Sequence, residues 1–320
     1  MTMPAIGVML PRGLDAALVL EFARRAERLG FDELWVVEDL GFRGGIAQAA
    51  TVLAATERIR VGIGILPAAV RNVAFAAMEA ATLASMFPGR LDLGIGHGMP
   101  DWMRQVGAWP DRPLSFLEAH VEALRALLRG ETVTAQNLAV TLDAFALDPS
   151  ARPSVIPDLL VGARGPRSLA ASGRIADGSI LAEPTTPEYA RASLAQIGAT
   201  RPHRLVAYNV GAIADDDATA FDAVRPGLQW IGEPDWAPHL APLDIAGEFA
   251  AFRASCASRQ EFTARMPEEW VARLSLAGTP ETVRARIREL GEAGVTSSVF
   301  IPVGDPMDAL ESLARVLEAH

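Results

Sequence analysis

Leu91-Asp92-Leu93-Gly94-Ile95-Gly96, followed by helical text from Leu114 to Leu128, is the fourth strand-and-helix pair before residue 130. The three pairs ahead of it have the same form. Ile6 to Leu10 is a short apolar run, and after it Leu18, Phe22, Ala26 and Leu29 fall at helical spacing. Leu34 to Val37 precedes an alanine-rich helix over 46–56, and Ile59 to Leu66 precedes a helix over 73–86. Short buried strands alternating with helices predict a parallel sheet covered on both faces.

The second half is less regular. Pro149, Pro153 and Pro157 mark 131–158 as an excursion, with room for a small hairpin. Leu159 to Val161, Gly178 to Leu181, Leu205 to Ile213 and Thr296 to Ile301 read as strands five to eight. Thr186-Pro187, Thr279-Pro280 and Asp305-Pro306 each place a capping side chain before a proline that needs no N–H, so each opens a helix. Eight strands with helices between them predict a (β/α)8 TIM barrel over 1–320, one domain with an insertion in its C-terminal half at approximately 226–275. Pro226, Pro234, Pro238 and Pro242, set around Trp230 and Trp236, make the start of that insertion partly loop. A doubly wound open sheet is the alternative; the strand count and the lack of a Gly-rich turn after strand one favour the barrel.

Half of the 320 residues are apolar and the net charge is -10. That balance argues against nucleic acid and against anionic membranes as partners. The N-terminus lacks a basic leader, and no stretch approaches the roughly 20 apolar residues of a membrane span, so a cytoplasmic protein is expected. Cys256 is the single cysteine, which excludes an intrachain disulfide framework and reads as an inert thiol. Five histidines with no H-x-H or H-E-x-x-H pair support no metal site and argue against a metal-dependent hydrolase.

In a barrel, ligand groups sit just after the strands. Glu38 and Asp39 follow strand two and are candidates for proton transfer or orientation; a solvated loop is the plain alternative. Gly62 and Gly64 lie inside strand three, where glycine marks either a close ligand or crowded packing. Strand four runs into Gly96-His97-Gly98-Met99, which exposes His97 as a catalytic candidate, with Met99, Trp102 and Arg104 as pocket wall. Strand five ends in Ala163-Arg164-Gly165-Pro166, where a helix start and a guanidinium suit a phosphate.

Four segments in order resemble the luciferase-like flavin-dependent oxidoreductase family: Ala23 to Trp35, Phe87 to Gly96, Ala163 to Pro166 with Ala176-Asp177-Gly178, and Gly278 to Glu281 with Ala293-Gly294-Val295. The resemblance covers nearly the whole chain. It implies a TIM barrel with an insertion, a flavin-type cofactor at the strand C-termini, and a homodimer or larger assembly. The opening half is similar to the group that uses coenzyme F420. In that group a non-proline cis peptide in strand three backs the ring, and the matching bond joins Gly64 and Ile65. The resemblance also implies cofactor contacts at Gly96, His97, Gly98 and Ala163 to Pro166. The aspartate–histidine pair that the family often has after strand two is here Glu38 and Asp39, and the family's phosphate-segment serine is Arg164. The glutamate that follows the strand-four glycines in deazaflavin sugar-phosphate dehydrogenases is here Met99, which argues against that activity. The missing acid leaves His97 as the substitute proton carrier. The resulting expectation is F420-dependent hydride transfer with a small organic substrate. The alternatives are an FMN-dependent monooxygenase fed by a separate flavin reductase, or a flavin-binding protein without turnover.

Overall fold

The computed structural model describes residues 3–137 and 139–317. Eight parallel strands close into a barrel: β1 (Ala5–Met9), β2 (Glu33–Val36), β3 (Arg60–Pro67), β4 (Leu91–Gly96), β5 (Asp158–Gly162), β6 (Gly178–Leu181), β7 (Arg204–Ile213) and β8 (Ser297–Pro302). Each pairs with its sequence neighbour, and β8 pairs back onto β1. The TIM barrel read from the sequence is therefore the observed fold. Outside the ring lie α1 (Val19–Leu29), α2 (Gly45–Ala55), α3 (Val73–Met86), α4 (Pro113–Leu128), α5 (Pro166–Ile175), α6 (Pro187–Ile197), α7 (Pro280–Glu292) and α8 (Pro306–Ala314). Their starts follow from local chemistry: Asn72, Thr186, Thr279 and Asp305 accept backbone N–H bonds at the first turns of α3, α6, α7 and α8. The hairpin between β4 and β5 pairs Val133–Gln136 with Thr141–Phe145.

The N-terminal end of the barrel is plugged by charge. Arg204 donates to Asp92 at 2.8 Å, to Asp158 at 2.9 Å and to Glu33 at 3.1 Å, and Arg60 also pairs with Asp92. Burial alone would lower the Arg204 pKa, but the surrounding carboxylates more than offset this and raise it. Above this layer Trp35, Leu160, Ile180, Val206, Tyr208 and Val299 fill the interior. With the interior filled by these side chains, the C-terminal mouth is left as the place where ligands bind in barrels of this kind.

Between β7 and α7 the chain builds a second apolar cluster. Val224, Leu228, Phe249, Phe262, Trp270 and Leu274 form much of it, and it rests on the far end of β7 through Val210. Trp236 and Trp270 are buried there, whereas Trp230 is 41% exposed, stacked on Trp236 with the Arg259 guanidinium 3.8 Å from its ring centre. Cys256 is buried, and its thiol donates to the Phe252 carbonyl. A short strand, Leu276–Gly278, returns alongside β7 before α7. No helix among the described residues is long and apolar enough to cross a membrane.

Candidate active site

Strand β3 carries the irregularity that shapes the mouth. Its pairing with β4 slips between Ile63 and Leu66, and the Gly64–Ile65 peptide inside the slip is cis, as the resemblance implies. The surrounding glycines have specific neighbours. A Cβ on Gly62 would lie 2.2 Å from the Trp35 ring, and one on Gly64 would lie 2.5 Å from Tyr208 Oη. Gly96 and Gly162 would each meet the Ile65 side chain at 3.0 Å. Gly62, Gly64, Gly96 and Gly162 thus make room for core side chains, while Gly64 and Ile65 themselves stay partly exposed.

The pair after β2 is already engaged. Arg71 holds Glu38 with two bonds of 2.5 and 2.7 Å, and the Gly45 N–H donates to Glu38 Oε2 at 2.6 Å. Both carboxylate oxygens accept from Arg71, and Oε2 also holds the start of α2. Asp39 pairs with Arg12 at 2.6 Å, and Arg12 in turn covers the Phe42 ring. Each of the two is thus paired with an arginine.

His97 lines a groove of about 570 Å3 between the β4 and β5 loops, together with Trp109, Arg112, Ser115, Gly165 to Arg167 and Ser168. Burial holds its pKa below the ordinary histidine value, so the ring is neutral near pH 7. Two helices, α4 and α5, start in this groove, and neither has a side-chain cap. Helix N-termini without a side-chain cap, with Arg112 and Arg167 among the lining residues, are features suited to a phosphate or carboxylate. Gly98 takes a positive φ of 72° beside Met103, which turns the chain away from β4. Met99 and Trp102 are half-buried at the short helix Pro100–Gln105. Arg104 is exposed, bonded to Asp101 and laid over Trp109 on the rim.

Ala163 is buried where β5 ends, but Arg164 turns away from the groove. Its guanidinium lies 4.5 Å from the Trp236 ring centre, so the segment between β7 and α7 contributes to the mouth. Tyr189 Oη donates to the Arg164 carbonyl at 3.0 Å. Across from it, at the end of β6, stands Glu183. Burial raises its pKa, a hydrogen bond from its own backbone N–H and the charges of Arg164 and Arg12 oppose that rise, and Asp39 adds to it. The chain after it is clamped: the Glu183–Pro184 bond is cis, Thr185 N–H donates to Asn209 Oδ1 at 2.8 Å, and Asn209 Nδ2 donates to the Thr185 carbonyl at 3.1 Å. His239 Nδ1 lies 3.2 Å from the Pro184 carbonyl, with its ring against Tyr189.

Sequence reading alone passes over Trp109, Arg112, Arg167 and Glu183. Arg112-Pro113 carries the signal of a proline-opened helix without a capping side chain, and Glu183 obeys the same strand-end rule that selects His97. Among the described residues no cluster of three or more histidine, cysteine, aspartate or glutamate side chains could hold a metal ion.

The sequence is matched over residues 1–297 by a family model described as luciferase-like monooxygenase. The chain belongs to that family. Luciferase-like proteins are oxidoreductases, and this chain is one. It is 28% identical over 302 residues to the 5,10-methylenetetrahydromethanopterin reductase of Methanolobus tindarius, covering 89% of this chain and 90% of that one. Among solved structures it is similar to the coenzyme F420 dependent tetrahydromethanopterin reductase of Methanopyrus kandleri, with a TM-score of 0.77, 21% identity and 98% of both chains covered. An F420-dependent secondary alcohol dehydrogenase in complex with an F420-acetone adduct gives a TM-score of 0.75 at 20% identity, again over 98% of both chains. At these identities the two structures establish the fold.

Proposed function

We propose that this chain is a coenzyme F420-dependent oxidoreductase that transfers hydride to or from a small organic substrate at the barrel mouth. The observation that carries this reading is the groove where two uncapped helices and two arginines converge beside the β3 bulge. It fits a cofactor with a planar ring and an anionic tail. Gly165 to Ser168 with Arg112 and Arg167 would hold the tail, His97 would contact it, and the Gly64–Ile65 bulge would back the ring. A bound deazaflavin supplies or accepts hydride at carbon. The protein positions the reactants and keeps water from the mouth. The reductase and dehydrogenase relatives favour F420 over FMN. The family's own description supports the second reading, an FMN-dependent monooxygenase served by a separate flavin reductase. The composition, with one cysteine, suits the cytoplasm, and we also propose a homodimer.

An anaerobic titration of the purified protein with F420 and, separately, with reduced and oxidised FMN tests the cofactor. F420 binding with little FMN binding is the expected result; preferential binding of reduced FMN would replace it with the monooxygenase reading. Arg112→Ala combined with Arg167→Ala should weaken F420 binding by about tenfold or more, the loss expected for charge-assisted contacts.

A further inference from the structure

Several charged groups around the barrel mouth are committed to ion pairs. Arg12 is committed to Asp39, and Arg71 to Glu38 and Glu79. Arg164 and Glu183 are different. Among the described residues neither has an ion-pair partner within 4.0 Å, although they are electrostatic neighbours. Arg164 is supported from the side by the Trp236 ring and held by its own backbone through Tyr189. Glu183 stands on a strand end fixed by Asn209 and His239. Both are half-buried at the mouth and not lost in the core. Beneath them Tyr208 Oη is buried, with no hydrogen-bond partner among the described residues. Four polar groups face Glu183 from the surrounding elements: Arg164 after β5, Arg12 after β1, Asp39 after β2 and Tyr208 on β7. Since Arg12 and Asp39 neutralise each other, the Arg164 charge is balanced only when Glu183 is ionised.

We propose that Arg164 and Glu183 form a substrate subsite that binds a carboxylate together with one proton. The planar guanidinium matches a carboxylate with two parallel N–H bonds. Glu183 in its neutral form donates an O–H bond to the same ligand, whereas ionised it repels it. Ligand and proton therefore bind together, and the favoured substrates are small organic acids. This assignment deepens the hydride-transfer reading and rests on it for calling the ligand a substrate. The segment between β7 and α7 takes part, because Trp236 and His239 hold the two residues in place. The burial that raises the Glu183 pKa agrees with the geometry.

Acetate is the probe, titrated calorimetrically into the purified protein without cofactor at several pH values, in two buffers of different ionisation enthalpy to count protons. The expected result is uptake of a proton on binding and an affinity that falls by about tenfold per pH unit above the Glu183 titration. Arg164→Gln should lose the binding, while Arg164→Lys keeps a weakened, still pH-dependent form. Glu183→Gln, whose amide can still donate, should bind acetate with little pH dependence. Circular dichroism reports folding, and if Arg164→Gln fails to fold, the lysine and Glu183 variants decide. Absent or pH-independent binding by the wild type, or undiminished binding by Arg164→Gln, would overturn the subsite. F420 is titrated separately. Binding of F420 without proton-linked acetate binding sinks the subsite alone; the reverse sinks the cofactor reading alone.

Discussion

At the residue scale the buried histidines make the pH behaviour predictable. Burial, helped by nearby arginines, pushes His120 down to about 4 and His239 down to about 3. The unfolded chain takes up these protons near pH 6.5, and the folded chain does not until far lower. Stability is therefore full above about pH 6.5 and is lost as pH falls below it, by up to about 1.4 kcal/mol per unit for each histidine. His239→Leu should flatten this slope between about pH 6.5 and 5 when urea unfolding is measured at each pH, and His120→Leu should flatten it independently. Equal slopes in wild type and variants would show that neither ring is excluded from protonation in the fold.

At the scale of single elements, β3 and β4 depend on missing side chains. An alanine at Gly94 would bring its Cβ to 2.3 Å from the Ile63 carbonyl oxygen and 2.5 Å from Ile180 Cδ1. An alanine at Gly62 would strike the Trp35 ring. Neither neighbour can withdraw, since one is backbone and the other is a fully buried indole bonded to Glu33 at 2.7 Å. Gly62→Ala and Gly94→Ala should each cost about 3 kcal/mol or more in chemical denaturation. Gly247→Ala is the control: that position lies in the helix Ala246–Ser255 with nothing within 4 Å of an added Cβ, and the change should stabilise by about 0.5–1 kcal/mol. Similar losses at all three positions would point to a general glycine effect in place of packing.

On the scale of the whole molecule, α3 presents an unusual surface. Phe75, Met78 and Met86 are 64%, 48% and 65% exposed along one helix, and Val70 precedes them at 43%. A row of this kind is suited to a second copy of the chain and is costly to leave in water. Light scattering should find twice the 34.0 kDa of one chain, and Phe75→Glu with Met78→Glu should return the mass to that of one chain with the barrel intact. A wild-type mass of 34.0 kDa would remove the dimer from the proposal.

The sequence by itself determined the barrel. Eight short apolar runs, each followed by a helix with Asn, Thr or Asp before its first turn in half the cases, are local signals, and closing the ring needs only that each run pair with the next. Gly64–Ile65 and the segment from Ala163 to Pro166 were legible as well, because a resemblance fixed their place in the order of strands. What only the tertiary structure decided is how charges are shared. Glu38 and Asp39 read as candidates for proton transfer or orientation, and the fold pairs each with an arginine from another strand end, Arg71 after β3 and Arg12 after β1. Arg164 read as part of the phosphate segment, yet it turns onto Trp236, which lies 72 positions further along the chain. Glu183 lies just after a strand, but only the fold shows that it has no ion-pair partner within 4.0 Å among the described residues. Strand and helix formation depend on periodicities within a few residues, whereas the charge state of a carboxylate depends on which distant groups the closed barrel brings within a few ångströms of it.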